Sequence, residues 1–227
     1  MPQEKPIIKG LERETPAGAA PRKIVQARPL EAQGEPSWLA AEIERLRAEL
    51  QRSEALIEAL EKSAHEDVLT GLLNRRGFAR AFAQAIAYLK RYGGSAALLY
   101  LDLDRFKPVN DRYGHAAGDV VLRQIAGILQ GSVRASDLAA RLGGDELALV
   151  LWNLDALQMQ AKMRALEALV DSTSFSVGGE QIDLGVSIGG TMLLPQDDLD
   201  SALARADAAM YARKQERRNN PVIPGRE

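Results

Sequence analysis

Apolar residues recur at alternating steps of four and three between residues 37 and 65. This spacing places them at the a and d positions of a heptad repeat, with Ser37 as the helix N-cap and Ser53 at the one polar d position. The apolar members are Leu39, Ile43, Leu46, Leu50, Ile57, Leu60 and Ala64. The pattern predicts a long helix that pairs as a parallel dimeric coiled coil, and a single helix packed on its own domain is the alternative.

The rest of the chain alternates between helix-length and strand-length apolar patterns. The predicted elements are helices at 75–89, 119–129, 155–169 and 199–211, a strand at 95–101, a loop at 105–118, and hairpins at 138–152 and 174–188. This order predicts an α+β fold with an antiparallel-rich central sheet flanked by helices, in a ferredoxin-like core. The long coiled-coil helix precedes this core.

The hairpin at 138–152 contains the segment Arg-Leu-Gly-Gly-Asp-Glu-Leu at residues 141–147. Gly143 and Gly144 allow positive φ in the turn and leave no side chain above it, so a large anionic ligand can approach the backbone. The adjacent carboxylates of Asp145 and Glu146 stand beside this bare surface. An ordinary solvent-facing turn is the alternative, and such turns are common.

A second acidic group ends the apolar strand at 95–101, where Asp102-Leu103-Asp104 follows. Carboxylates at a strand end, joined by those of a nearby hairpin, predict a hard-cation site of the kind that Mg²⁺ occupies together with substrate phosphates. Lys107 can meet a phosphate as a point charge. Asn110 and Asp119 can recognise a base edge, because their side chains offer amide and carboxylate hydrogen-bonding groups.

These segments, with several others, resemble the GGDEF-domain diguanylate cyclases over roughly residues 67–219. The matching segments, in family order, are 67–78, 102–119, 134–137, 141–147, 187–189, 206–211, Lys214 and 218–219. The resemblance implies a fold like that of nucleotide cyclases and polymerase palms, and condensation of two GTP molecules to cyclic di-GMP with release of pyrophosphate. Each domain holds one GTP, so a homodimer is part of the implied mechanism.

The resemblance also implies roles for individual residues. Asp102, Asp145 and the carbonyl of Leu103 would bind Mg²⁺, with Mn²⁺ as an alternative, and Glu146 would complete the acidic cluster. Asp145 is the candidate base. The implied substrate contacts are Lys107, Asn110, Asp119, Gly143, Gly144, Lys214 and Arg218. The segment 67–76 would lie near the nucleotide and link an upstream signal to the domain.

An inhibitory site for cyclic di-GMP is implied at Arg134 and Asp137, which stand at family spacing from the hairpin. Arg134 would grip the product's phosphates and guanine bases, and Asp137 would accept from a guanine edge. A surface ion pair is the alternative. Arg164 is a candidate for a second contact from a neighbouring domain, and a solvated helix face is its alternative.

Three positions depart from the family pattern. Leu147 replaces the usual phenylalanine, and we expect apolar packing below the turn. Arg217 replaces a glycine and Arg213 a small residue, and both are expected to add charge near the phosphate-binding residues.

Composition narrows the other possibilities. The chain has 227 residues, 46% of them hydrophobic, and no cysteine, so it lacks a disulfide framework and a thiolate metal site. The net charge of −2 gives no reason to expect nucleic-acid binding, and no apolar run predicts membrane insertion. The start of the chain lacks the apolar core of a signal peptide, and we expect a cytoplasmic protein.

The predicted organisation is a disordered tail at 1–36, the coiled coil at 37–65, the catalytic domain at 66–219 and a disordered tail at 220–227. Two other functions remain open at this point. The chain could be a catalytically silent receptor for cyclic di-GMP, or a coiled-coil scaffold whose globular domain directs localisation.

Overall fold

The computed structural model describes residues 37–219; the predicted tails at 1–36 and 220–227 lie outside the described residues. The described elements, in chain order, are α1 (Ser37–His65), α2 (Arg75–Tyr92), β1 (Ala96–Asp104), α3 (Phe106–Tyr113), α4 (His115–Ser132), β2 (Leu138–Gly143), β3 (Glu146–Trp152), α5 (Ala156–Ser172), β4 (Phe175–Val177), β5 (Glu180–Ile182), β6 (Gly185–Met192) and α6 (Leu199–Asn219).

The central sheet has four strands in the order β2-β3-β1-β6, and every neighbouring pair is antiparallel. This arrangement confirms the predicted antiparallel-rich sheet flanked by helices. The hairpin predicted at 174–188 needs correction, because β5 pairs with β4 in a separate small sheet while β6 pairs with β1. Ile182 therefore belongs to one strand, while Val186 and Ile188 belong to another strand with a different partner.

Side chains of β1 alternate between two halves of the core. Leu99, Leu101 and Leu103 belong to one apolar cluster together with residues of α4 and α5. Leu98 and Tyr100 belong to the other, together with residues of α2 and α6. Because side chains alternate with a period of two, Asp102 and Asp104 lie on the same side of the sheet as Leu98 and Tyr100, which is the side that carries α6.

The predicted loop at 105–118 is helical over most of its length. It contains α3 and the first turn of α4, which only Gly114 separates, at φ 81°. Phe106 and Val109 of α3 are buried, and Pro108 lies in the first turn, where a missing N–H costs no helical hydrogen bond. The asparagine, aspartate and glycine of this segment are typical of loops, and this composition led to the wrong prediction.

Helix α1 covers the residues 37–65 that the heptad pattern predicts to be helical. Leu46, Leu50, Ile57 and Leu60 are each more than half exposed, at 51%, 58%, 57% and 60%. None of the described helices is long and apolar enough to cross a membrane. Pairing of α1 with a second copy stays a prediction.

The C-terminal end of α1 is fastened to the start of α2 by Asn74. The Asn74 Oδ1 accepts from the Gly77 N–H at 2.9 Å and caps α2, while Nδ2 donates to the carbonyls of Ala64 and Glu66 at 3.1 Å. A Cβ on Gly77 would overlap the His65 carbonyl. Glycine at this position therefore permits the close approach of the two helices.

Candidate active site

The turn between β2 and β3 has the conformation that its two glycines allow. Gly143 and Gly144 have φ of 152° and 52°, and outside the adjoining residues no heavy atom lies within 4 Å of the position that a Cβ would take on either residue. Arg141 Nε donates to the Gly144 carbonyl at 2.9 Å, and Arg75 Nε donates to the Leu142 carbonyl at 3.1 Å. The predicted bare turn is confirmed, and two arginines hold its backbone from below.

The end of β1 brings together the acidic residues that flank this turn. Asp102 stands opposite Glu146 of β3 and opposite Ser187 of β6 in the strand register. Burial raises the pKa of the Asp145 carboxyl above its usual value, and the nearby Asp102 carboxylate raises it further. Lys214 of α6 donates to Asp102 Oδ1. Charged side chains from β1, the β2–β3 turn and α6 therefore form one cluster.

The potential metal ligands at this end of β1 are carboxylate and carbonyl oxygens, which suit a hard divalent cation. The ion pair with Lys214 also demonstrates that Asp102 attracts a cation. Within residues 37–219, no three histidine, aspartate or glutamate side chains are arranged to hold a metal ion by themselves. A cation bound here would complete its shell with substrate oxygens, as Mg²⁺ commonly does.

Glu146 has two partners that sequence reasoning missed. The Tyr100 hydroxyl donates to Glu146; burial, and then this hydrogen bond, raises the pKa of Tyr100. Arg75 Nη2 lies 3.7 Å from Glu146 Oε2. Tyr100 precedes Asp102 by two residues and shares its side of the sheet, so the strand period was a usable signal. Arg75 gives no such signal, because α2 is distant in sequence.

The predicted base-recognition residues meet where α3 packs on α4. A Cβ on Gly118 would overlap Asn110 Oδ1, so Asn110 lies directly beside the residue that precedes Asp119. Asn110 Oδ1 is buried and has no hydrogen-bond partner among the described residues. A buried acceptor without a partner is costly, and a ligand N–H would satisfy it. Lys107 is exposed in the first turn of α3.

A hydrogen-bonded path links the segment after α1 to the turn. Asp67 Oδ1 accepts from the Thr70 N–H and hydroxyl at 2.9 and 2.6 Å, and Arg141 Nη1 lies 3.2 Å from both Asp67 oxygens. Burial by itself would raise the pKa of Asp67, but the bonds from Thr70 and Arg141 outweigh it and lower the pKa. Arg141 therefore contacts both the leading segment and Gly144.

The residues of the predicted inhibitory site form a turn before β2. Asp137 Oδ2 accepts from the Arg134 backbone N–H at 2.9 Å, and Oδ1 accepts from the Trp152 N–H at 3.1 Å. Among the described residues, no ion pair joins the side chains of Arg134 and Asp137, so the ion-pair alternative is wrong. Arg134 is exposed, and Arg164 is exposed on α5.

A cleft of about 480 Å³ adjoins this turn. Its lining residues are Glu66, Gly71, Leu72, Leu73, Gln130, Val133, Arg134, Ala135, Asp137, Leu138 and Ala139. Two residues of the predicted inhibitory site therefore share a cleft with the leading segment.

Two further predicted contacts lie on α6, which continues to Asn219 beyond the predicted end at 211. Lys214 and Arg218 are separated by four residues and therefore share a helix face, and Arg218 is exposed. The sequence predicts that Arg213 and Arg217 add charge near the phosphate-binding residues. In the structure each of these arginines pairs with carboxylates of α5 or β1, so their charges are balanced within the domain. Leu147 is fully buried beneath the turn, which confirms its predicted packing.

Comparison with known proteins gives the family. The family model "Diguanylate cyclase, GGDEF domain" matches residues 64–220. The chain belongs to the GGDEF-domain family of diguanylate cyclases. Diguanylate cyclase DosC of Escherichia coli K12 is 37% identical over 163 residues, which are 70% of this chain and 35% of DosC. Diguanylate cyclase TpbB of Pseudomonas aeruginosa PAO1 is 39% identical over 191 residues, which are 80% of this chain and 42% of TpbB.

Solved GGDEF structures have the same fold. The coiled coil and GGDEF domain of DgcB from Caulobacter crescentus, in complex with c-di-GMP, matches with a TM-score of 0.72 at 30% identity, covering 78% of this chain and 95% of that chain. Diguanylate cyclase SiaD from Pseudomonas aeruginosa, in complex with its activator SiaC, matches with a TM-score of 0.65 at 31% identity. The match covers 78% of this chain and 68% of that chain. The chain spans 35% and 42% of the lengths of the curated relatives DosC and TpbB.

Proposed function

We propose that this GGDEF protein condenses two GTP molecules to cyclic di-GMP and releases two pyrophosphates. The observation that carries the proposal is the grouping of Asp102, Asp145 and Lys214 beside a turn with no side chains. Carboxylates for a cation, a lysine for phosphate and an open backbone surface are the parts that nucleotidyl transfer needs. Relatives named diguanylate cyclases support the choice of reaction.

Mg²⁺, or Mn²⁺ in its place, would be held by the Asp102 and Asp145 carboxylates and the Leu103 carbonyl, with Glu146 nearby. When bound, such an ion neutralises the triphosphate and lowers the pKa of the attacking 3′-hydroxyl. Leu103 follows Asp102, the last residue of β1 that has a partner in β3. The edge of β1 that faces β3 therefore has no strand partner at Leu103, the residue whose carbonyl would bind the ion.

The chain's own residues supply the remaining functions. Lys214 and Arg218, one turn apart on α6, bind the terminal phosphates, and Lys107 adds a further positive charge. Lys214 exchanges its partner Asp102 for phosphate oxygens when nucleotide binds. Asp145 is the candidate base, because a carboxylate with a raised pKa accepts a proton more readily at neutral pH.

Guanine recognition is assigned to Asn110 and Asp119. The buried Asn110 Oδ1 would accept from a guanine N–H, and the Asp119 carboxylate would accept from another. Adenine presents different donors and acceptors at the same edge, so the pair would favour GTP over ATP. Gly143 and Gly144 allow the nucleotide to lie against the turn.

The reaction needs two domains that face each other. Each 3′-oxygen attacks the other nucleotide's α-phosphorus, the bond to the β-phosphate oxygen breaks, and pyrophosphate leaves. A homodimer formed through the exposed apolar seam of α1 would bring two domains together. The solved DgcB protein, which contains a coiled coil and a GGDEF domain, supports this arrangement. A cytoplasmic location also stays a prediction.

Product inhibition is assigned to Arg134 and Asp137, with Arg164 of a neighbouring domain as a second contact. Asp137 Oδ2 closes the turn at the Arg134 N–H, and Oδ1 fixes the turn to Trp152 of β3. Through these two bonds Asp137 would hold Arg134 in place for an anionic ligand. Carboxylate oxygens have more than one lone pair, so Asp137 can still accept from a guanine edge.

The test is incubation of the full chain with GTP and Mg²⁺, with chromatographic detection of cyclic di-GMP and enzymatic detection of pyrophosphate. The Asp102→Asn variant should lose about two orders of magnitude or more in turnover, and Asp183→Asn, at an exposed position, is the matched control. Absence of product with the parent chain would contradict the proposal. Retained binding of cyclic di-GMP in that case would favour the receptor alternative.

A further inference from the structure

The C-terminal turns of α6 are fastened to β1 and α5 by one arginine. Arg217 Nε donates to Asp104 Oδ2 at 3.0 Å, while Nη1 and Nη2 donate to Asp171 at 3.0 and 2.7 Å. The side chains of Arg217 and Asp171 are 16% exposed and that of Asp104 is 19% exposed. Bidentate pairs of this kind are the strong ones, because the planar guanidinium matches the carboxylate.

The arginine passes the edge of the sheet at a residue that has no side chain. Gly185, the first residue of the edge strand β6, pairs with Asp104 of β1. A Cβ on Gly185 would lie 2.6 Å from Arg217 Nη2, 3.0 Å from Asp171 Oδ1 and 3.2 Å from Asp104 Oδ2. A Cβ at this position would force Arg217 Nη2 to move, so the close passage of the arginine over the sheet edge depends on this glycine.

A second arginine holds the preceding turn of α6 in the same way. Arg213 Nε and Nη2 donate to Glu167 of α5 at 2.7 to 3.1 Å. Glu167 is 4% exposed, and its Oε1 also accepts from the Ile188 N–H of β6 at 3.2 Å. Arg213 and Arg217 are four residues apart, so two successive turns of α6 are bound to α5.

The two arginines alternate along the helix with the two predicted phosphate-binding residues, Lys214 and Arg218. We propose that Arg217, together with Arg213, is a positioning residue that sets where Lys214 and Arg218 present their charges to the terminal phosphates of the nucleotide. The phosphate-binding part of the inference rests on the proposed function. Arg217 itself binds carboxylates of the protein and contacts no phosphate in this account.

A matched comparison is available on the same helix. Arg205, near the start of α6, binds Asp197 at 2.7 and 3.0 Å, and the Asp197 side chain is 5% exposed. Arg205→Ala therefore removes a bidentate pair of the same kind from the other end of α6. If Arg217 acts only through general stability, Arg217→Ala and Arg205→Ala should have the same consequences.

The first measurement is hydrogen–deuterium exchange of the nucleotide-free full chain, followed over residues 211–219. Arg217→Ala and Asp171→Ala should both speed exchange in this segment by roughly tenfold or more, while Arg205→Ala should leave it unchanged. Arg217→Lys keeps one cation but cannot span Asp104 and Asp171, so an intermediate rate is expected. If Arg217→Ala does not fold, the exchange rate of Arg217→Lys still tests the inference.

The second measurement compares the affinities for GTP and GMP, because GMP lacks the phosphates that α6 would contact. Arg217→Ala should weaken GTP binding by roughly tenfold and leave GMP binding unchanged, and Arg205→Ala should change neither. Unchanged exchange over 211–219, or equal losses for GTP and GMP, would overturn the inference. If the parent chain binds no GTP, the proposed function fails, and the exchange experiment still decides whether Arg217 orders the end of α6.

Discussion

Lys214, in the last third of α6, forms an ion pair with Asp102 at the end of β1. Both side chains are largely buried, at 20% and 19% exposure, so solvent screens the pair only partly. The lysine therefore neutralises a carboxylate that the proposed reaction requires for a metal ion. A divalent cation and Lys214 compete for the same oxygen, and nucleotide phosphates would draw the lysine away.

This competition makes a prediction for metal binding without nucleotide. Lys214→Met should tighten Mn²⁺ binding to the nucleotide-free chain by roughly tenfold, because one positive charge beside Asp102 is removed. The same variant should lose GTP turnover. Calorimetric titration with Mn²⁺ measures the affinity, and Lys90→Met, at an exposed position of α2, is the control. Unchanged or weaker Mn²⁺ binding in Lys214→Met would contradict the competition.

A second prediction concerns Asp145 and pH. The folded chain holds the Asp145 proton more tightly than the unfolded chain, so this carboxyl stabilises the fold at low pH. That contribution is lost as pH rises from the ordinary aspartate pKa of about 4 through the raised pKa of the folded chain. Asp145→Asn should therefore melt at an equal or higher temperature than the parent at pH 7, while losing activity.

Melting curves of the parent and Asp145→Asn between pH 3 and pH 8, roughly spanning the titration range of a carboxyl group, check this sign. The difference in melting temperature between Asp145→Asn and the parent should shrink as the pH falls. Asp183→Asn controls for loss of an exposed carboxylate. A variant that is less stable than the parent at neutral pH would mean that the Asp145 charge is stabilising, contrary to the burial argument.

Base selectivity is expected to depend on α3 and α4. Replacing Asn110 and Asp119 together with alanine leaves guanine donors without partners, at a cost of about 1–3 kcal/mol for each lost partner. GTP affinity should fall much more than ATP affinity. Competition binding with both nucleotides measures the ratio, and Asp111→Ala, on the exposed side of α3, is the control. Equal losses for the two nucleotides would argue against recognition of the base.

Product inhibition provides a further prediction. Arg134→Ala should weaken cyclic di-GMP binding by roughly tenfold to a hundredfold, because an exposed guanidinium beside the cleft is removed. Progress curves should then stay linear to higher product concentration. Arg123→Ala, an exposed arginine on α4, is the control. If the Arg134 variant slowed at the same product concentration as the parent, inhibition through Arg134 would be contradicted.

The last prediction concerns the seam of α1. Leu50→Lys with Ile57→Lys places charges at two a positions and should yield a largely monomeric chain. Its specific activity should rise with protein concentration, because encounter of two domains becomes bimolecular. Light scattering and a dilution series measure mass and activity, and Ala55→Lys, on the outer face, is the control. Concentration-independent activity of the monomeric variant would show that α1 is not the dimerising element.

Local patterns in the sequence determined much of the fold and several parts of the site. The heptad spacing predicted α1, and paired glycines predicted the bare turn at residues 143–144, because these features depend on backbone preferences over a few residues. The apolar run at 95–101 identified Asp102 and Asp104 as polar residues at the end of a buried strand. The family motifs, which combine such segments at fixed spacing, identified the family before any contact was known.

Only the tertiary structure decided which charges meet. Lys214 pairs with Asp102 across 112 residues and Arg217 with Asp104 across 113, and no local preference encodes contacts of that range. The passage of Arg217 over Gly185 depends on the pairing of β6 with β1 at the sheet edge, whereas the sequence predicted one continuous hairpin there. Ion pairs between distant segments form where packing of the whole core places them, and this packing is not a property of any single segment.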